Sequence, residues 1–222
     1  MLLVGGVFLS IWFLTAILAP WLSPCDPLKT HLEEALDAPD KEHIFGRDPL
    51  GRDVFSRVVY GARVSVTVGL TTVTISLAAG ILMGFLAGYY GGILDEGIMR
   101  LVDVVLAFPG ILLAIALTAV LGPSLRNVIL ALCITGWVGY ARIVRAQVLS
   151  LREADFVQAA RVLGVGDGRM LWRHILPNIL APVIVEATFG VAGAVLGEAG
   201  LSFLGLGTQP PLPSWGSMLN EG

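Results

Sequence analysis

Long stretches without a charged residue constrain this chain more than any other feature of its sequence. A helix needs roughly 20 apolar residues to cross the hydrocarbon core of a bilayer. Residues 2–22 and 64–94 meet this requirement without one Asp, Glu, Lys or Arg. Charged residues make up 14% of the whole sequence and hydrophobic residues 55%, whereas soluble domains carry about 25% charged residues. The sequence therefore predicts an integral membrane protein.

Three further apolar stretches complete the predicted set of spans. They cover residues 104–125, 126–142 and 178–205, and only the last contains acids, Glu186 and Glu198. Pro109 is expected to kink the third span. We predict an all-α membrane protein with about five transmembrane helices, in which residues 1–63 hold the first helix and a long loop. Residues 64–222 then form the core, which contains a polar loop at 148–178.

Several classes of function do not fit the composition. A net charge of −3 provides no broad basic surface for nucleic acid. Cys25 and Cys133 are too far apart for a disulfide framework or a clustered zinc site, and no metal-ligand constellation is expected from the three histidines. Lysine and arginine are shared equally between the loops on the two sides of the membrane, so the residues alone do not settle the orientation.

The loop at 148–178 is polar but patterned like helices. Its first half has apolar residues at positions i, i+3, i+4 and i+7, namely Phe156, Ala159, Ala160 and Leu163. Gly164 is expected to end this helix, and a second short amphipathic piece runs to Pro177. The pattern predicts a helix-turn-helix outside the membrane. Its narrow apolar face has two interpretations, a binding surface for a partner or an ordinary loop folded back on its own helices.

The same loop carries a motif with a specific spacing. Gln158-Ala159-Ala160 is followed after three residues by Gly164 and after nine more by the segment 174–178, His-Ile-Leu-Pro-Asn. This resembles the EAA loop of permeases of binding-protein-dependent ATP-binding-cassette (ABC) importers. Gln158 stands where the family usually has glutamate, and His174 where many members have isoleucine. Segments 45–63 and 200–216 resemble the dipeptide, oligopeptide and nickel branch of that family.

The resemblance implies a type I ABC importer permease in the inner membrane of a bacterium. In such importers two permease subunits form the pore, two ATP-binding subunits dock on the cytoplasmic EAA loops, and an extracytoplasmic solute-binding protein delivers the solute. Loops 89–99 and 142–178 would be cytoplasmic, while 23–63 and 205–222 would be external. The residues implied in docking are Phe156, Gln158, Ala159, Ala160, Leu163, Gly164, His174 and Pro177.

The chain is not expected to be an enzyme. It contains no G-x-x-x-x-G-K-[ST] phosphate-binding loop, and its only lysines are Lys29 and Lys41. We therefore expect no cofactor in this chain, and ATP with magnesium on a partner ATPase. Family members also end in a sixth span and begin with a short basic tail. This sequence has neither, and we expect a truncated reading frame or a fragment.

Glycines indicate where helices approach each other within the membrane. Gly80, Gly84 and Gly88 recur every four residues in the second span, which is typical of close helix packing. On the fifth span one face combines an acid with a glycine groove, formed by Glu186, Gly190, Gly193 and Gly197. This face is predicted either to line the pathway or contact a second subunit, or to hold a hydrated acid near the headgroups.

Three functions stay open at this point. The first is a permease subunit for peptides or a related solute, possibly nickel, with ATP hydrolysed on another subunit. The second is a proton-coupled secondary transporter that uses an intramembrane acid. The third is a truncated membrane anchor that does not transport.

Overall fold

In the computed structural model, which describes residues 2–222, the chain is helical and forms no strand within that range. A short 3-10 turn covers Leu32–Glu34, and short π turns cover Leu86–Tyr90 and Met170–Ile175. The α-helices are α1 Leu2–Leu22, α2 Val54–Phe85, α3 Gly92–Leu106, α4 Gly110–Leu121, α5 Leu125–Leu151, α6 Asp155–Val162, α7 Asp167–Arg169, α8 Leu176–Phe203 and α9 Trp215–Glu221.

The number of membrane spans agrees with the prediction. Within residues 2–222, four helices are long and apolar enough to cross a bilayer, and the pair α3 and α4 makes a fifth if it counts as one span. The predicted all-α fold with about five spans is thereby confirmed.

The third span is not the single kinked helix that the sequence suggested. α3 and α4 meet at an angle of 85°, with the break at Ala107–Pro109. The residue before a proline is disfavoured in the helical conformation, and proline has no N–H to continue the hydrogen-bond ladder. α4 has only 12 residues, about 18 Å of helix, which is shorter than the hydrocarbon core.

α2 begins at Val54, earlier than the predicted boundary at residue 64. The boundary was wrong because it was drawn where charges stop, whereas a helix can start outside the hydrocarbon. Asp53 caps this helix, since its Oδ2 accepts a hydrogen bond of 2.7 Å from the backbone N–H of Ser56. The loop that follows α1 is correspondingly shorter.

The second half of the 148–178 loop also differs from the prediction. Asp167–Phe203 is one continuous helix of 37 residues, so the piece that was expected to end at Pro177 continues into the fifth span. The π turn Met170–Ile175 changes the hydrogen-bond register just before Pro177, which has no N–H to donate. Only α6 is a separate helix within this loop.

The chain divides into two compact units. One contains the segments predicted to be external, 23–63 and 205–222, and the other contains the segments predicted to be cytoplasmic, 89–99 and 142–178. Segments predicted for the same side of the membrane thus share a unit.

The glycine stripe of α2 makes a close helix contact, as predicted, and the helix that it contacts is α5. A Cβ atom added to Gly80, Gly84 or Gly88 would lie 2.4, 2.6 or 2.9 Å from the Cβ atoms of Tyr140, Val144 or Val148, respectively. Side chains larger than hydrogen therefore do not fit at this helix contact.

Candidate functional site

α6 ends in a tight left-handed turn at Gly164, whose φ is +79°. The N–H of Gly164 donates to the carbonyl of Arg161 at 3.0 Å, and the N–H of Val165 donates to the carbonyl of Ala160 at 3.1 Å. These two bonds form a Schellman motif, which satisfies the last carbonyls of the helix. The prediction that Gly164 ends the first helix of the loop is confirmed.

The inner face of α6 packs on the protein itself. Val157 and Ala160 are buried, in a cluster with Val148, Met170 and Ile175. The apolar face predicted from spacing is therefore not exposed as a whole. Ala160 belongs to the core of this unit rather than to a free surface. Helical spacing groups residues on one side of a helix, but it does not show which edge of that side meets the core.

The outer face of α6, which we define as Phe156, Ala159, Val162 and Leu163, is exposed. Val162 is 87% and Leu163 83% exposed. α6 has only eight residues and is therefore too short to cross a bilayer. Charged residues lie within α6, at Asp155 and Arg161, and close to its ends in sequence, at Arg152, Glu153 and Asp167. These exposed apolar side chains in polar surroundings are the candidate interaction surface of the loop.

The remaining predicted docking residues have structural roles or flank this face. The Gln158 side chain donates from Nε2 to the carbonyl of Arg152 at 3.0 Å. The carbonyl of His174 accepts from Asn178 Nδ2 at 2.6 Å. Pro177 is exposed at the start of α8. A charged glutamate at position 158 would have no proton to donate to that carbonyl, so this turn favours glutamine over glutamate.

A second set of residues, which the sequence did not reveal, attaches the loop-bearing helix α5 to α3. Arg145 and Asp95 form a bidentate ion pair, with 2.6 Å between Nη2 and Oδ2. The two residues are separated by 50 positions, so no local pattern in the sequence pairs them. The two segments predicted to be cytoplasmic are therefore in direct contact.

The predicted face of α8 is packed at one end and open further along. A Cβ on Gly190 would lie 2.0 Å from Tyr140 Oη, whereas a Cβ on Gly193 would meet no atom within 4 Å. Glu186 is half-buried, with its Oε1 3.7 Å from the Cβ position of Gly139. Gly197 is half-buried. Close packing within the chain therefore involves Gly190, and a pathway role for this face stays a prediction.

Glu198, the other acid of α8, is fully buried. Its Oε1 accepts hydrogen bonds from Ser202 Oγ at 2.6 Å and from Thr208 Oγ1 at 3.2 Å. This carboxylate closes the turn that follows α8.

A buried ion cluster joins the start of α2 to α9. Asp48 pairs with Arg52 and Arg57, and Glu221 pairs with the same two arginines at 2.8 and 2.6 Å. Burial alone would raise the pKa of Asp48, but hydrogen bonds from the backbone and side chain of Arg52 hold that pKa below its ordinary value. Removing one partner of such a buried pair is strongly destabilising. The cluster therefore anchors the residues at 215–221 to the loop after α1.

Cys25, His43 and Asp53 lie close enough together to resemble a metal site. Arg47 Nη2 lies 2.8 Å from His43 Nε2, and because a guanidinium can only donate, Nε2 must accept. The proton is then on Nδ1, which donates to Asp53 Oδ1 at 2.9 Å. Burial and the Asp53 charge also raise the pKa of the Cys25 thiol. This bonding favours a hydrogen-bonded anchor for the loop over a metal site.

Comparison with known proteins gives matches over almost the whole of this chain. Residues 80–222 match the family described as binding-protein-dependent transport system inner membrane component. A dipeptide transport system permease protein of Alkalihalophilus pseudofirmus is 48% identical over 99% of this chain and 72% of its own length. An oligopeptide transport system permease protein of Bacillus subtilis is 42% identical, over 99% of this chain and 72% of its own length.

A third relative, a di/tripeptide transport system permease protein of Pseudomonas aeruginosa, is 43% identical over 97% of this chain and 73% of its own length. The family match includes α6, its glycine turn and the whole of α8. Several apolar helices of spanning length accompany it. The chain therefore belongs to the inner membrane components of binding-protein-dependent transport systems, the multi-pass permease subunits of bacterial ABC importers.

Proposed function

We propose that this chain is one of two permease subunits that line the pathway of a peptide importer, and that ATP is hydrolysed on separate subunits. The outer face of α6 carries this proposal. It presents apolar side chains on a helix whose own core is already complete, so a partner can cover them without any refolding of the loop.

The occupant that we propose for this face is an ATP-binding subunit on the cytoplasmic side, with ATP and magnesium bound there. A second permease subunit would complete the pathway, and an extracytoplasmic binding protein would deliver the solute to the side that holds 23–63 and 205–222. Peptides are favoured over nickel as the solute because the relatives described above are named as dipeptide, di/tripeptide and oligopeptide permeases.

Truncation of one exposed leucine tests the docking surface. Leu163 is 83% exposed, so a partner that covers it would bury almost the whole side chain. Leu163→Ala then lowers the free energy gained from apolar burial on binding by about 2 kcal/mol, which corresponds to roughly a thirtyfold loss of affinity. The measurement is the affinity of the purified ATP-binding subunit for the permease pair in detergent.

The matched control is Leu219→Ala. Leu219 is 70% exposed and lies on α9, in the other unit. Leu219→Ala should leave the affinity of the ATP-binding subunit for the permease pair unchanged. Equal affinities for wild type, Leu163→Ala and Leu219→Ala would show that the outer face of α6 is not where the ATP-binding subunit docks.

A further inference from the structure

The chain has a contact between α2 and the α6 turn that docking alone does not require. It is made by Tyr89, in the π turn Leu86–Tyr90 that ends α2. Gly91 and Gly92, with φ of +68° and +56°, turn the chain directly afterwards into α3.

Tyr89 touches both sides of the turn that follows α6. Its Oη donates to Asp167 Oδ1 at 2.7 Å, and Asp167 is the first residue of α7. The guanidinium of Arg161, on α6, lies over the Tyr89 ring at 5.8 Å from the ring centroid. One side chain of α2 therefore contacts the helix before the turn and the helix after it.

The chain on either side of Tyr89 is fixed to α5. Arg152 Nη1 donates to the carbonyl of Gly88 at 3.2 Å, and Asp95 holds Arg145 in the bidentate pair. The glycine contact at position 88 with Val148 reinforces this attachment. Tyr89 is thus held in place by contacts on both sides of it. The loop core joins the same elements, because Phe85 of α2 and Val148 of α5 pack in it with Val157 of α6.

The Tyr89 contacts add to the loop core rather than replace it. The loop core of Val157, Ala160 and Met170 already holds α6 in place. An exposed hydrogen bond and a cation–π contact are individually weak, so a substitution can remove them while that core stays intact.

We propose that Tyr89 is a positioning residue that transmits movement of the docked ATP-binding subunit from α6 and the following turn to the membrane-spanning helix α2. This inference rests on the proposed docking at the outer face of α6. It assigns to Tyr89 a role in the efficiency of coupling, and no part in ATP binding or in docking itself.

The test uses the complete importer in proteoliposomes, with its binding protein and a radiolabelled dialanine as probe. Tyr89→Phe and Asp167→Ala each remove the same hydrogen bond from opposite ends. Each should lower the number of dipeptides imported per ATP hydrolysed by a factor of roughly two to thirty, the range expected for residues that couple two sites. Affinity for the ATP-binding subunit and thermal stability should match wild type. The control is Tyr90→Phe, an exposed neighbour.

The double variant distinguishes a shared contact from two unrelated defects. If the bond is what matters, Tyr89→Phe with Asp167→Ala should couple as well as either single variant, because the second change removes nothing further. Wild-type coupling in both single variants, or a loss that only parallels a loss of docking or stability, overturns the inference. Failure of the ATP-binding subunit to bind the wild-type chain would instead overturn the proposed function.

Discussion

Replacement of Gly84 by alanine isolates the packing of α2 on α5. The added Cβ would lie 2.6 Å from Val144 Cβ and 2.7 Å from the carbonyl oxygen of Ala141. Non-bonded carbon atoms pack at about 3.5–4.0 Å, so the overlap is about 1 Å. Both opposing atoms are fixed by the backbone of α5, and no rotamer change relieves the clash. The two helices must move apart along this contact.

Overpacking of this kind costs typically 1–3 kcal/mol. For a chain of this size each kcal/mol lowers the unfolding midpoint by about 2–4 °C, so Gly84→Ala should lower it by about 2–12 °C. The assay is thermal unfolding of the detergent-purified chain, followed by far-ultraviolet circular dichroism. Gly193→Ala is the control, since a Cβ there meets no atom within 4 Å. Equal midpoints for the two variants would refute the close contact between α2 and α5.

The remaining predictions concern the α6 turn and the loop after α1. Ala160→Glu buries an unpaired charge in the loop core at a cost of several kcal/mol, so it should make the loop sensitive to protease. Ala159→Glu should leave the loop protected from protease and weaken only the docking of the ATP-binding subunit. Gly164→Val should cost about 1–3 kcal/mol because valine is strained at positive φ, and Gly166→Val, at φ of −70°, should be tolerated in the same thermal assay. Asp48 has a lowered pKa in the folded chain, so its contribution to stability is present above the unfolded pKa of about 3.9 and is lost as pH falls further. Protease resistance of the loop after α1 should therefore hold at neutral pH and decline below about pH 4.

Features determined by local sequence were predictable. The long apolar stretches located α1, α2 and α8 because the requirement for an apolar surface acts on every residue of a span. Gly164 was recognisable because a glycine after an amphipathic stretch favours a left-handed helix end. The glycine spacing in α2 likewise predicted a close helix contact, although not that α5 is the partner.

Features determined by contacts between distant residues were not predictable. Ala159 and Ala160 are adjacent and chemically identical, and only the position of the core shows that one faces outward and the other inward. The pairs Asp95 with Arg145 and Arg57 with Glu221 join residues 50 and 164 positions apart. Nothing in the local pattern of either partner identifies the other.

Solute uptake by the complete importer tests the central claim most directly. Proteoliposomes containing this chain, its partner permease and the ATP-binding subunits are supplied with loaded binding protein outside and ATP inside. We expect accumulation of labelled dipeptide that requires ATP, requires the binding protein and stops when this chain is omitted. Uptake driven by a proton gradient without ATP, or uptake that persists without this chain, would contradict it.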